Sequence, residues 1–313
     1  FGDPDRVRDE CITIDRQYAR EVRAMEWLES IWSDFRYALR TLRRMPAFTA
    51  VATITLALGI GATAGMFTLV NGILLRSLPY PNSDRLVRLI QSYPEKGLDT
   101  WGLSQRNIAM YRDGGTDFEA FTAFRSGRVT IRGDQGPERL SVLRVTSTFF
   151  DVIGVRPMMG RPFTFDEDRP NQNNVMVLSY GTWQTRFGAN PTIVGTKLEV
   201  DGNPTVIIGV MPPGFAFPRP DVQAWMPIGL DPLRGFGYFH SGLGRLKPGV
   251  TPEHAERQTT PIMWKWIGDE QGLGKAGVDP TKTRMKTIVR PMQEAITGRT
   301  ARPLTILFAA VSL

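Results

Sequence analysis

Between Met45 and Leu75 the chain runs for 31 residues without a charged side chain, with Arg44 before the run and Arg76 after it. A helix needs ~20 apolar residues to cross the hydrocarbon core of a bilayer, and a buried helix of a soluble domain rarely goes this long without a charge. The stretch predicts a membrane helix over 45–76. A secretory signal also places basic residues before an apolar core, but that core is ~7–15 residues long and ends in a small-residue cleavage site. The residues that follow here, Leu74-Leu75-Arg76-Ser77-Leu78-Pro79-Tyr80, offer no such site.

The run carries a second pattern. Ala50, Thr53, Ala57, Gly61, Gly65, Thr68 and Gly72 recur at steps of three or four and share one helical face. Small side chains let another helix approach closely, and Gly61-x-x-x-Gly65 has the spacing of such a contact. The alternative is that small residues are simply frequent in membrane helices. A helix-packing face of Ala57, Gly61, Gly65, Thr68 and Gly72 predicts a partner helix. A second apolar stretch, Leu304–Leu313, is too short to span. Because the sequence begins with Phe1 and ends inside this stretch, it reads as a fragment, with 299–313 the truncated start of a second membrane helix.

Upstream, residues 25–44 read as an amphipathic interfacial helix. Leu28, Ile31, Trp32, Phe35, Leu39 and Leu42 mark one face, and Arg36, Arg40, Arg43 and Arg44 the other. Aromatic residues opposite arginines suit the headgroup plane, so Trp27, Trp32, Arg40, Arg43 and Arg44 are the predicted interfacial anchor, and Pro46 redirects the chain into the bilayer. An ordinary amphipathic helix packed on a cytoplasmic domain has the same pattern. The cluster Arg40–Arg44 favours a cytoplasmic N-terminus, which places the large downstream domain outside. Cys11 is the only cysteine, so no disulfide forms within the chain.

The net charge of +7 sits wholly in 76–303, since residues 1–44 hold nine Lys/Arg and nine Asp/Glu. No basic run or aromatic-interleaved basic motif accompanies it, so nucleic acid is not an expected partner. Anionic membrane lipid is the more natural one.

Downstream of the anchor the pattern is mixed. Strands are expected at Arg85–Ser92, Ala120–Ile131, Arg139–Val145 and Val175–Ser179, and helices over 104–112 and Tyr180–Phe187. Lys197–Val200 and Thr205–Val210 form a hairpin through Asp201-Gly202-Asn203-Pro204. Thr251 caps a helix with Pro252 in its first position, on which Ala255, Thr259, Ile262, Met263 and Trp266 share a face, and Pro261 kinks or ends that helix near Thr260. Gly268–Thr283 is Gly-rich and reads as a mobile loop, and Lys286–Ile296 returns toward the second apolar stretch.

Catalytic chemistry finds little support. The nearest approach to a phosphate-binding loop, Gly272-Leu273-Gly274-Lys275-Ala276, lacks the magnesium-binding hydroxyl and has Asp269 where the first glycine belongs. Gly59-Ile60-Gly61-Ala62-Thr63-Ala64 fits a loose dinucleotide fingerprint but lies inside the membrane run. Only His240 and His254 are available as histidine ligands, no Gly-x-Ser-x-Gly elbow occurs, and Asp166-Glu167-Asp168 reads as a solvated acidic loop without the spacing of a calcium site. Catalytic, cofactor and metal residues are therefore expected to be none. The aromatics Trp183, Phe187, Phe215, Phe217 and Trp225 are expected to be mostly core.

Residues 39–89 resemble the first membrane helix and flanks of MacB/FtsX-type ABC transporter permeases. Residues 144–165 (RVTSTFFDVIGVRPMMGRPFTF), 175–218 and 242–255 (GLGRLKPGVTPEHA) are similar to the MacB-like extracytoplasmic core domain. The opening FGDPDRVRDEC resembles the end of a prefix domain in the duplicated orphan branch of that family. The resemblance implies an α+β fold: a transmembrane helix, then a two-lobed mixed α/β domain with a porter-like βαβ lobe split by a mostly β insertion. It divides the chain into a prefix end (1–24), interfacial helix (25–44), first membrane helix (45–76), periplasmic core domain (77–298) and second helix start (299–313). It also implies a non-enzymatic bacterial inner-membrane permease subunit that relays motion from a separate ABC ATPase, with a second permease half or subunit and an envelope adaptor as further partners. The rivals are a bitopic envelope sensor or adaptor with a ligand-binding outer domain, and a membrane-anchored hydrolase. The transported substrate is not legible.

Overall fold

The structure, a computed structural model, describes residues 32, 36–70, 78–94, 97–133, 136–233, 237–269, 285–298, 306, 307 and 310. The chain divides into two units, Phe1–Gly72 with Leu304–Leu313, and Ile73–Pro303. Segment 1–24, Trp27, Gly72 and most of 299–313 lie outside the described residues, as does 270–284, which holds most of the Gly-rich segment and the rejected phosphate-loop match.

In the first unit, helix α1 covers 36–44 and helix α2 covers Pro46–Val70, with a break at Met45. At ~1.5 Å per residue the 25 residues of α2 extend about 37 Å, more than the ~30 Å of a bilayer core. In hydrocarbon every hydrogen-bonding group needs an internal partner. The hydroxyls of Thr55, Thr63 and Thr68 accordingly donate to the carbonyls of Val51, Gly59 and Ala64, each at 2.9 Å.

The second unit is built on one mixed sheet. Its strands are β1 (Leu86–Tyr93), β2 (Leu98–Trp101), β3 (Phe118–Gly133), β4 (Gly136–Val145), β5 (Met159–Gly160), β6 (Val175–Leu178), β7 (Lys197–Val200), β8 (Asn203–Val210), β9 (Ala224–Pro227), β10 (Ser241–Leu246) and β11 (Lys286–Pro291). The path is β11-β1-β10-β3-β4-β9-β6-β8-β5, with β2 on β1 and β7 on β3 and β8. Helices α3 (Gln105–Gly114), α4 (Phe149–Ile153), α5 (Tyr180–Phe187), α6 (Pro252–Asp269) and α7 (292–298) complete it.

Strands β11, β1, β10 and β3 are antiparallel neighbours belonging to two β-α-β units, β1-α3-β3 and β10-α6-β11. Residues of both helices and of all four strands meet in one cluster containing Val87, Ile108, Phe121, Leu246, Ala255 and Val289. Strand β10 can lie beneath the rings of β3 because its facing positions are glycine. A Cβ on Gly244 would stand 2.5 Å from the Phe118 ring, and one on Gly242 would stand 2.9 Å from Leu89 and Leu103. Strand β3 then runs on: Phe118–Phe124 pairs with β10 and Phe124–Gly133 with β4. Its far half joins β4 and β6–β9 around Val129, Ile131, Leu140, Met176, Ile207 and Met226. A third cluster around Phe149, Phe150, Phe217 and Trp225 is largely aromatic, with Phe217 5.2 Å from both Phe124 and Phe149.

Local signals explain most boundaries. Ser104 and Asn107 form a capping box at α3, Ser179 caps α5 through the amide of Thr182, and Thr251 receives the amide of His254 at the start of α6, as its sequence predicts. The hairpin β7-β8 turns on two residues, Asp201 (φ 50°) and Gly202 (φ 80°), with Val200 opposite Asn203. The expected four-residue link is therefore shorter, and Asn203 and Pro204 belong to the strand.

Two expectations are corrected. Of the two outcomes expected at Pro261, a kink or an end, the helix does not end there: α6 continues to Asp269. Pro261 is exposed, so the carbonyl it leaves without a donor, that of Arg257, belongs to a residue on the exposed side as well. On the inner side Thr259 and Thr260 donate to the carbonyls of Ala255 and Glu256 at 2.7 and 2.8 Å. Of the expected face, Ala255, Thr259 and Met263 are buried and Ile262 is half-buried, while the Trp266 side chain lies outside the described residues. The second correction concerns Asp166–Asp168, which form a 3-10 turn in which Asp168 is buried rather than solvated.

Candidate functional site at the apolar helix and its leader

Helix α2 is apolar on all sides and covered by nothing among the described residues: Val51, Leu56, Leu58 and Ile60 are each more than 60% exposed. Ala57, Gly61, Gly65 and Thr68 lie on it in exposed positions. A Cβ added at Gly61 or Gly65 meets nothing within 4 Å, so the stripe is open to another helix. At 100° per residue, the opposite side carries a second shallow groove that the sequence reading did not single out. It has a volume of about 860 Å³ and is lined by Thr55, Gly59 and Thr63 beside Leu56, Ile60 and Phe67.

Helix α1 supplies the leader. Arg40, Arg43 and Arg44 are exposed on it, and the Arg36 guanidinium lies 6.0 Å from the ring centroid of Trp32, itself exposed. A concave wedge of about 610 Å³ separates α1 from α2, lined by Leu39, Leu42 and Arg43 on one side and Pro46, Ala50, Thr53 and Ile54 on the other. The leader and the apolar helix thus form a bent pair, apolar within the bend and basic along α1.

Among the buried polar groups of the second unit are Asp168 and His240, both weighed in the sequence as ligands, and Arg245, which was not. Arg245 donates to the carbonyls of Val152 (2.7 Å), Pro81 (2.9 Å) and Asn82 (3.0 Å), tying β10 to the end of α4 and to the segment that enters the domain. Asp168 accepts the amides of Ser147 at 2.9 Å and Gly229 at 3.1 Å, joining the 3-10 turn to the approaches of α4 and the exit of β9. Burial pushes its carboxyl up to about 6 against the opposing pull of those amides. His240 contacts the carbonyl of Leu103 through Nδ1 at 3.2 Å, and desolvation lowers its pKa to about 4, so it is neutral at pH 7. The burial of these three residues is not legible in the sequence, because their partners lie in distant segments.

On the face of the sheet away from α3 and α6, a groove of about 480 Å³ is lined by Arg88, Ile90, Thr100, Arg290, Glu294, Ala295 and Gly298. Arg88 and Arg290 are register partners of β1 and β11. Arg88 donates to the hydroxyl of Ser241, and Arg290 lies 3.9 Å from Glu294. Among the described residues no group of three His, Cys, Asp or Glu side chains could hold a metal ion. Of the aromatic residues named from sequence, Phe217 and Trp225 are fully buried, and Trp183, Phe187 and Phe215 pack against the core clusters.

A profile of the MacB-like periplasmic core domain matches residues 49–262. The chain belongs to this family. In this MacB/FtsX-like permease the matched span takes in most of α2 and runs through the second unit into α6. The chain is 31% identical over 173 residues to the macrolide export ATP-binding/permease protein MacB of Burkholderia pseudomallei, an alignment covering 54% of the chain and 25% of that protein. It is 30% identical over 174 residues to the MacB protein of Burkholderia thailandensis, with 54% and 25% covered. The match thus spans about a quarter of the length of these curated relatives. Among solved structures, the periplasmic region of MacB from Actinobacillus actinomycetemcomitans aligns with 14% identity and a TM-score of 0.49, covering 75% of this chain and 97% of that one. The extracellular domain of the noncanonic ABC-type transporter YknZ from Gram-positive bacteria aligns with 13% identity and a TM-score of 0.47, covering 66% and 99%.

Proposed function

We propose that this MacB-like permease chain relays ATP-driven motion from a separate cytoplasmic ATPase to its outer domain, for export or extrusion of a substrate. The observation that carries the reading is the direct succession of two parts: a helix long enough to span, apolar on every side, and then a folded unit of the periplasmic core family. A helix with so much apolar surface finds its solvent in lipid and in other helices. The stripe Ala57, Gly61, Gly65, Thr68 and Gly72 is the face on which a helix of a second permease half or subunit packs. Trp27, Trp32, Arg40, Arg43 and Arg44 hold the leader at the headgroups on the cytoplasmic side, and the outer unit lies in the periplasm.

Within that unit the two β-α-β units form the porter-like lobe, and the strands between β3 and β10 form the β insertion. The domain limits of the proposal are 1–24 prefix, 25–44 leader, 45–76 first membrane helix, 77–298 core domain and 299–313 start of the next helix. Strand β3 crosses from one lobe to the other, and a continuous strand transmits displacement without a hinge. An envelope adaptor is the outer partner in this reading.

The test is co-purification of the full-length protein with an ABC ATPase from native membranes, followed by ATPase assays with and without the permease. Complex formation and permease-dependent turnover support the proposal. A full-length protein that purifies without any ATPase and binds a soluble ligand through its outer unit supports an envelope sensor instead.

A further inference from the structure

The break between α1 and α2 leaves a specific carbonyl to be satisfied. Pro46 has no amide hydrogen, so the carbonyl four residues earlier, that of Leu42, loses the donor that a continuous helix would supply. Leu42 also lies in the last turn of α1, where carbonyls lack partners within the helix. The Thr49 hydroxyl stands 2.7 Å from the Leu42 carbonyl and 3.0 Å from that of Met45. Met45 already accepts the Thr49 amide at 3.0 Å. A hydroxyl has a single hydrogen, and the shorter contact to the carbonyl deprived by Pro46 takes it.

The other α2 threonines with a recorded partner behave differently. Thr55, Thr63 and Thr68 each bond four residues back inside their own helix, an ordinary arrangement for threonine in a membrane helix. The Thr49 contact spans seven residues and crosses the break. It joins the first turn of one helix to the last turn of the other, on the side that lines the wedge.

We propose that Thr49 is the positioning residue of a fixed elbow: its hydroxyl replaces the amide missing at Pro46 and locks α1 to α2 at one angle. Pro46 forces the break and Thr49 prevents the break from becoming a free hinge. The inference rests on the reading of α1 and α2 as elements that transmit movement, since a push on α1 reaches α2 only through a joint that does not swivel. It also assigns Pro46 and Thr49 to one device, so their effects are coupled.

Double electron–electron resonance on the full-length protein in lipid nanodiscs tests this, with every native cysteine, Cys11 included, replaced by serine and spin labels at positions 37 and 58, where Tyr37 and Leu58 are largely exposed. The unsubstituted elbow gives one narrow distance distribution. Thr49→Val keeps the shape of the side chain without the hydroxyl, and the population outside the main peak rises roughly fivefold, the size one net hydrogen bond carries. Thr49→Ser restores the narrow peak. In Pro46→Ala the residue at 46 again has an amide for Leu42, so adding Thr49→Val changes nothing further. An unchanged distribution in Thr49→Val, or equal broadening with and without Pro46, overturns the proposal. These distances are read without an ATPase, so their outcome is separate from the co-purification that tests the transporter reading.

Discussion

Helix α2 and the outer unit use the same apolar side chains in opposite ways. Leu58 and Ile60 are 68% and 61% exposed in α2, whereas Leu143, Leu243 and Val177 are 0% exposed in the sheet. The difference lies in what stands between them in sequence. Strand β4 begins with exposed Pro137, Glu138 and Arg139 and continues into buried Leu140, Val142, Leu143 and Val145, so charged residues meet water where the strand emerges and apolar ones are covered where it is packed. Helix α2 has no charged residue at any position, so no face is suited to water. Apolar content alone does not separate a core from a membrane span; the charge-free length does.

The largest effect that could break this comparison comes from the core. Trp225→Ala removes the largest fully buried side chain, at the centre of the aromatic cluster, and should cost about 3–5 kcal/mol in chemical unfolding followed by circular dichroism. Ile60→Ala in α2 should leave that transition unchanged. The reverse experiment is Ile60→Arg, which opposes insertion by about 2.5–3.5 kcal/mol and should release the protein in alkaline extraction of membranes. The outer unit of that variant should unfold as before.

Arg245→Met comes next. It keeps most of the aliphatic stem but leaves the Val152, Pro81 and Asn82 carbonyls without their donor, and destabilisation of about 2–3 kcal/mol is expected by the same unfolding measurement. If the variant is as stable as the parent, the link between the domain entrance and α4 is ornamental.

A smaller effect concerns pH. The folded pKa of His240, about 4, lies below its usual 6.5, so the stability it contributes is present above pH 6.5 and lost as pH falls toward 4. The folded pKa of Asp168, about 6, lies above its usual 3.8, so its contribution is present below pH 3.8 and lost as pH rises through 6. The two oppose each other between pH 4 and 6.5. His240→Gln should therefore gain stability relative to wild type when moved from pH 7 to pH 5, and Asp168→Asn should lose it. Thermal melts at the two pH values distinguish the signs. The least effect on folding is expected from Gly61→Ile: an unchanged melt of the outer unit, with weaker helix association measured by energy transfer between copies of the membrane segment and its partner.

Strands β1, β3, β4 and β6, the helices α3 and α5, the start of α6 and the β7-β8 hairpin were legible because their signals are local, whereas β2, β5, β9 and β11 were not singled out. Ser104, Ser179 and Thr251 bond amides three residues away, and Asp201-Gly202 sets its own turn. The same logic failed at Pro261, where exposure and the threonine contacts let the helix continue, and at Asp168, whose amide partners lie 21 and 61 residues away. Strand β10 was not expected from the sequence, nor was the room that its glycines leave for Phe118 and Phe121. Nor did the sequence of α2 distinguish Thr49 from its neighbours, since its role depends on which carbonyl Pro46 deprives.

By itself the sequence determined that this chain has a membrane-length helix ahead of a mixed α/β domain, because length without charge and side-chain period are properties of neighbouring residues. Only the tertiary structure decided that β3 continues from the helix-covered part of the sheet into the β-rich part, that Arg245 and Asp168 are buried ties, and that Thr49 bridges the elbow. Those outcomes depend on which distant backbone groups fold against each side chain, and no local pattern carries that information.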